Sequence, residues 1–388
     1  MTSLERMMAA VRGESLDRYP VMNPYPFWSM QPHWPELAGL TFAHFYNGSD
    51  EQRMTFYRAI EEQLGVDCMP VWRGTCGQDE SWRIENKAGD CPSRWQSTEF
   101  PIYLHNLKTD ERRRIDDYYA DPHVGEARYK TVADVNAEPP LQSADEILAD
   151  RTNEMACKVV AEFGERMFLF YDVGGPFSHC YRSLTFEGLY EKVIEDPALV
   201  HAIAERQTQH LIQYARAAAA TGIHAIRINE YPAGAELLSP GQCAEFVWPY
   251  LKRVTDACHD AGILVILEFL GWVEPRLEEI AKLGLDMLQI ESSMKGYRNS
   301  VAECRKVLGE GVCILGNTPI REVLELGDRS AWLADAEEQA RGIGAEGRFV
   351  ICTGSPTTHA TPPKRLLEWA RFMQESLLTG LTPVEGLV

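Results

Sequence analysis

The stretch ILVILEFLGWVEPRLEEIAKLGLDMLQIE, residues 263–291, decides the fold. It holds two apolar runs, ILVILE (263–268) and DMLQIE (286–291), joined by a segment of helical spacing. A run that is apolar throughout, rather than alternating, suits a strand buried on both faces of a parallel sheet. Strand, helix and parallel strand make one βαβ unit. Each run ends in a carboxylate, Glu268 and Glu291, where a buried strand would emerge.

Six more such runs flank this unit: RYPVMN (18–23), VDCMPVW (66–72), MFLFYDVG (167–174), IHAIRINE (223–230), VCILGN (312–317) and RFVICTG (348–354). Helix signals lie between them. Asp196-Pro197 divides one long helical segment into two, and Ser239 and Gly262 mark the start and end of another. Thr2 and Glu5 have capping-box spacing ahead of a short N-terminal helix. Eight alternations of strand and helix predict an α/β chain folded as a (β/α)8 TIM barrel, with a doubly wound open sheet as the competing topology. Residues 1–388 are expected to form a single barrel domain. The alternation breaks once, at 74–150, where SWRIENKAGDCPSRWQSTEFPIYL has the pattern of a β-hairpin turning at Lys87–Asp90. This stretch is expected to be an insertion after the second strand that covers the catalytic face.

Composition removes several classes of function. A net charge of −19 and a pI near 5.0 oppose binding to nucleic acid or an anionic membrane. No run of about 18 apolar residues is present to span a bilayer, and the N-terminus lacks the apolar core of a signal peptide. Ten scattered cysteines with no CxxC pair predict free thiols and a reducing, cytoplasmic setting. P-loop and Gly-x-Ser-x-Gly motifs are absent, and Gly-x-Gly-x-x-Gly occurs at 342–347 ahead of the apolar run 348–354 instead of after a strand, so dinucleotide, nucleotide and serine-hydrolase chemistry find no support.

Active sites of parallel barrels sit at the C-terminal strand ends. Those ends bear Asn23, Asp172, Glu230, Glu268, Glu291 and Asn317, with Thr353, Ser355 and His359 after the last strand. Asp172, Glu230, Glu268 and Glu291 are the candidate catalytic residues. Carboxylates converging on one mouth need a cation, a shared proton or a basic partner such as Arg227, Lys295 or Arg298. Tyr25, Phe27, Trp28 and Phe177 are candidate walls of a pocket for a flat substrate, though aromatic clusters also build cores. Asn23, Asn317 and His179 are further candidates for substrate contact. Any metal site must be assembled from separate strands, with Glu230, Glu268, Cys313, Cys352 and His359 as candidate ligands.

Several segments resemble the uroporphyrinogen decarboxylase superfamily, whose fold is a (β/α)8 barrel. They are LERMMAAVRGESLDRYPV (4–21), FEGLYEKVIEDPALV (186–200), LLSPGQCAEFVWPYLKRV (237–254), LGLDMLQIE (283–291), ILGNTP (314–319) and GSPTTHATPP (354–363). The decarboxylases carry an arginine-rich segment after strand one, where this chain has PYPFWSMQPHWP (24–35). The cobalamin-dependent thiol methyltransferases of the superfamily bind zinc through His-x-Cys after strand five and a Cys after strand eight. Glu268, Leu270 and Ser355 stand at those places here. ExxGW (268–272) and SSMKGY (292–297) resemble the methyltransferases of aryl methyl ether O-demethylase systems.

That resemblance implies transfer of a methyl group from a guaiacol- or veratrole-like ether to the Co(I) corrinoid (cobalamin) of a partner corrinoid protein. The chain has no Asp-x-His-x-x-Gly cobalamin-binding motif of its own. The departing phenolate needs either Zn²⁺ or a protonated glutamate, and both versions stay open at this point. Transfer to a thiol or another acceptor, a decarboxylase and a non-catalytic corrinoid- or tetrapyrrole-binding protein are the alternatives.

Overall fold

The computed structural model describes residues 1–30, 33–40, 44–45, 48–72, 82–86, 102–108, 110, 112–114, 127–149, 152–293, 296–344, 347–354 and 361–376. All eight predicted runs form strands: β1 (Val21–Met22), β2 (Cys68–Pro70), β6 (Phe168–Gly174), β7 (Ala225–Asn229), β8 (Leu264–Phe269), β9 (Met287–Ile290), β10 (Cys313–Leu315) and β11 (Phe349–Cys352). They make one parallel sheet in the order β1-β11-β10-β9-β8-β7-β6-β2. The edge strands β1 and β2 meet through the Asp67 N–H, which donates to the Val21 carbonyl at 2.8 Å. The (β/α)8 barrel is thereby closed in one ring, and the open-sheet alternative is set aside.

The Asp67 side chain holds that seam together. It accepts from the Val21 N–H (2.8 Å), Ser3 Oγ (2.9 Å), Arg6 Nη1 (2.6 Å) and both terminal nitrogens of Arg18 (2.7 and 2.9 Å). Arg6 comes from helix α1 (Ser3–Arg12), which opens with the predicted Thr2–Glu5 capping box. Met7, Ala10 and Val11 of that helix close the N-terminal end of the barrel against interior residues of the strands.

Alternate residues of each strand point inward. The inward set includes Phe168 and Phe170 on β6, Ala225 on β7, Ile266 on β8, Met287 on β9 and Leu315 on β10, so the lower barrel is a packed core. Their neighbours, such as Leu169, Ile226, Leu267, Leu288 and Ile314, face the surrounding helices. Those helices include α2 (Asp50–Gln63), α3 (Thr152–Phe163), α4 (Pro176–Leu184), α5 (Phe186–Glu195), α6 (Pro197–Thr221) and α7 (Trp248–Asp260). The break predicted at Asp196-Pro197 is present, and there Asp196 caps α6 and Pro197 begins it.

Within the 74–150 stretch, β3 (Trp82–Asn86) and β4 (Ile102–Asn106) pair antiparallel, and β5 (Arg112–Arg114) adds a third strand. The predicted turn at 87–90 lies outside the described residues. Among the described residues no helix is long and apolar enough to cross a membrane.

Candidate active site

The inward register of the barrel places the site. Gly174, Asn229, Glu268 and Gln289 are consecutive pairing partners across β6, β7, β8 and β9, so they form one level of the mouth. One step deeper, Asp172 pairs with Arg227. Glu291 follows Gln289 by two residues and shares its inward parity, so it stands one step further out.

Arg227 is fully buried and acts as the base of this cluster. Its Nε and Nη2 donate to the two Asp172 oxygens at 3.2 and 2.6 Å, and its Nη1 donates to Gln289 Oε1 at 3.1 Å. The guanidinium carbon lies 4.5 Å from the Tyr25 ring centre and 5.1 Å from that of Phe170. The two rings and the carboxylate offset the cost of holding the cation out of water.

Glu268 is also fully buried. Asn229 Nδ2 donates to its Oε2 at 2.5 Å, and Gln289 Nε2 donates to its Oε1 at 3.1 Å. Both amides have fixed orientations. Arginine has only donors, so the Gln289 oxygen must face Arg227 and its nitrogen must face Glu268. Asn229 Oδ1 accepts from the Tyr231 N–H at 3.1 Å, which leaves its nitrogen for Glu268. Burial pushes the Glu268 pKa up to about 8; the Gln289 donor opposes the rise and the nearby Glu291 adds to it. A neutral carboxyl accepts from both amides and still has one proton to donate, and among the described residues no acceptor takes that proton.

Glu291 takes a different arrangement. Its Oε2 accepts from the Gly271 N–H at 2.7 Å and from the Tyr297 hydroxyl. Gly271 adopts φ of +102°, a conformation that costs a side-chain-bearing residue several times more than glycine. Asn299 clasps the surrounding loops. Its Nδ2 donates to the Gly271 and Glu291 carbonyls at 2.9 and 3.0 Å, and its Oδ1 accepts from the Val273 N–H at 3.1 Å. Asn317 Nδ2 joins the clasp by donating to the Asn299 carbonyl at 2.9 Å.

The structure does not gather all the predicted site residues. Glu230 has the outward parity of Ile226 and Ile228 and faces helix α4. It accepts from the Phe177 N–H (3.1 Å), the Ser178 N–H (2.9 Å) and Ser178 Oγ (3.0 Å). Its pKa is raised to about 7 because burial outweighs those three donors. Phe27 packs on Phe45 and Tyr57 at 4.4 and 5.2 Å, and Phe177 is fully buried in the core, so neither lines the mouth. Asn23 Oδ1 accepts from the Tyr25 N–H at 3.1 Å. His179 is half-buried on α4, and burial with Arg182, Arg128, His210 and Arg206 around it lowers its pKa to about 4. Of the basic partners, Arg298 reaches Glu338 at the surface (3.5 Å). Lys295, Ser355, His359 and the Trp28 side chain lie outside the described residues.

The donor set of the described residues does not suit zinc. Among the described residues no three His, Cys, Asp or Glu side chains are grouped to hold a metal ion. Glu268 is engaged by two amide donors, and Arg227 Nη1 stands 4.0 Å from its Oε1, where it opposes a cation. Cys313 and Cys352 lie in the barrel interior, and burial raises both thiols, Cys313 to about 12. A thiol held protonated is a poor zinc ligand. Asn229 and Gln289, which determine what Glu268 can do, were not singled out in the sequence. The available signal was their parity with Glu268 at neighbouring strand tips.

A closed (β/α)8 barrel with its polar groups gathered at the strand ends defines the class of protein. Residues 117–376 match the uroporphyrinogen decarboxylase (URO-D) family, and the chain belongs to that family. A uroporphyrinogen decarboxylase from Anaeromyxobacter dehalogenans is 29% identical over 207 residues, 52% of this chain and 57% of that protein. The methylated-thiol–coenzyme M methyltransferase of Methanosarcina mazei is 23% identical over 213 residues, 55% of this chain and 54% of that protein. The matches thus span little more than half the length of these relatives. A solved structure of a methyltransferase from Methanosarcina mazei superposes with a TM-score of 0.70 at 19% identity, covering 97% of this chain and 99% of the other. This likeness confirms the fold.

Proposed function

We propose that the protein is a methyltransferase that takes a methyl group from an aryl methyl ether and passes it to the corrinoid of a partner protein. The observation that carries this reading is the setting of Glu268, a desolvated carboxyl held between two amide donors with its own proton uncommitted. Breaking a methyl–oxygen bond leaves a phenolate, which departs readily only if its oxygen is protonated as charge develops. Glu268 donates a hydrogen bond to the ether oxygen and transfers its proton as that bond breaks, so the products are a phenol and the Glu268 carboxylate. Asn229, Gln289 and the Arg227 guanidinium behind it then stabilise the carboxylate.

The corrinoid supplies the nucleophile for the methyl carbon. A carried cofactor fits this site because the polar cluster opens to solvent at Asp172, whose side chain is 37% exposed, while Glu268 stays fully buried. In this reading the 74–150 insertion covers the mouth, and the protein works in the cytoplasm. The sequence likeness to a methylated-thiol methyltransferase supports methyl transfer as the reaction class.

The test is methyl transfer from guaiacol or veratrole to a reduced corrinoid protein, followed by the change in the corrinoid spectrum. A panel in which no aryl ether is demethylated defeats the substrate class. Uroporphyrinogen decarboxylation is the second reading, favoured by the 29% identity to a decarboxylase. It requires cations for the substrate's carboxylates, and Arg227 is already committed to Asp172. Loss of carbon dioxide from uroporphyrinogen would establish it.

A further inference from the structure

Arg182, on α4, is an exposed cation at the rim of this acidic mouth. Among the described residues it has neither a hydrogen bond nor an ion pair. Its guanidinium lies against Gly174, the last residue of β6: a β-carbon on Gly174 would stand 3.6 Å from Arg182 Cζ and 3.8 Å from Nε and Nη2. The guanidinium thus lies within van der Waals reach of the last inward position of β6. The nearby inward carboxylate, Asp172, has both oxygens on Arg227 and is not its partner. In a chain of net charge −19, a cation at the mouth with no acid paired to it among the described residues is suited to an anionic ligand. Neighbouring elements add to the positive field: beside burial, Arg182, Arg128, His210 and Arg206 disfavour a proton on His179 of α4.

Gly174 belongs to the same level as Glu268, two strands away through Asn229. Neighbouring strands are about 4.8 Å apart, so the two positions are separated by about 10 Å. A methoxybenzoate spans about the same length once a hydrogen bond is added at each end. Its ether oxygen would meet Glu268 and its carboxylate would meet Arg182.

We infer that Arg182 is a specificity-determining residue that binds the carboxylate of an aromatic methoxy acid, with the ring lying between it and Glu268. The inference rests on the methyltransferase reading for its substrate, while its binding step is measured without turnover. Calorimetric titration with vanillate (4-hydroxy-3-methoxybenzoate) and guaiacol compares a ring with and without the carboxylate. Vanillate is expected to bind the native protein more tightly than guaiacol does. Arg182→Gln should weaken vanillate by about ten- to a hundredfold and leave guaiacol within about threefold, as expected for loss of one charge-assisted pair.

Equal affinity of the native protein for the two compounds overturns the inference. So does an equal loss for both in Arg182→Gln, which would assign Arg182 to the fold. If instead both ethers bind unchanged and both lose methyl transfer equally, the cation serves an anionic group of the carried cofactor, and the inference falls. Carboxylate-dependent binding with no methyl transfer from either ether supports the anion site and defeats the methyltransferase reading.

Discussion

At the scale of single residues, the proposed reaction rests on Glu268 and its two amides. The acid must be protonated to act, and its pKa is raised to about 8. Methyl transfer should therefore be full below that value and fall as pH rises through it. Glu268→Gln should lower kcat/KM by about 10²–10⁴ and remove the high-pH limb. Gln289→Leu deletes a donor that favours the charged form, so the limb should move to higher pH. A limb that stays in place in Gln289→Leu would separate the pH dependence from Glu268. Both profiles come from initial rates across the pH range.

Between elements, Glu230 anchors the first turn of α4 from the neighbouring strand. Three donors converge on its two oxygens, and Gly175 leaves the space for it: a β-carbon there would lie 2.1 Å from Glu230 Oε1. Glu230→Gln turns an amide N–H toward those donors and should cost about 1–3 kcal/mol in urea unfolding. The pH limb assigned to Glu268 should survive in that variant, and its disappearance would return Glu230 to the catalytic set. Asn299 plays the corresponding part for the loops after β8, β9 and β10. Asn299→Ala should speed amide hydrogen exchange at Gly271 and Val273 ahead of the rest of the barrel.

For the molecule as a whole, closure of the ring depends on the seam between β1 and β2. Asp67 is fully buried there and neutralises Arg6 and Arg18 while holding the Val21 N–H. Asp67→Ala would leave those cations without their shared partner and should destabilise the barrel by about 3–5 kcal/mol, read as a fall in the urea midpoint. A loss under about 1 kcal/mol would mean that the sheet closes without this contact. The seam lies at the opposite end of the barrel from the mouth, so ligand binding by the folded variant should be retained.

Much of the fold was legible because burial on both faces forces continuous apolar runs, and ILVILE and DMLQIE are two of eight such strands. Caps at Thr2 and Ser239 were legible for a similar reason, since each satisfies backbone donors a few residues away. The sequence by itself determined the barrel and the carboxylates at its strand tips. Which carboxylate faces the mouth was decided only by tertiary structure. Glu230 and Glu268 both terminate apolar runs, yet Glu230 falls one residue beyond the inward Asn229 and so points to α4. A one-residue step in a strand reverses the side-chain direction. Register across β7, β8 and β9 then brought Asn229 and Gln289 to either side of Glu268, a juxtaposition that exists only once the strands are paired.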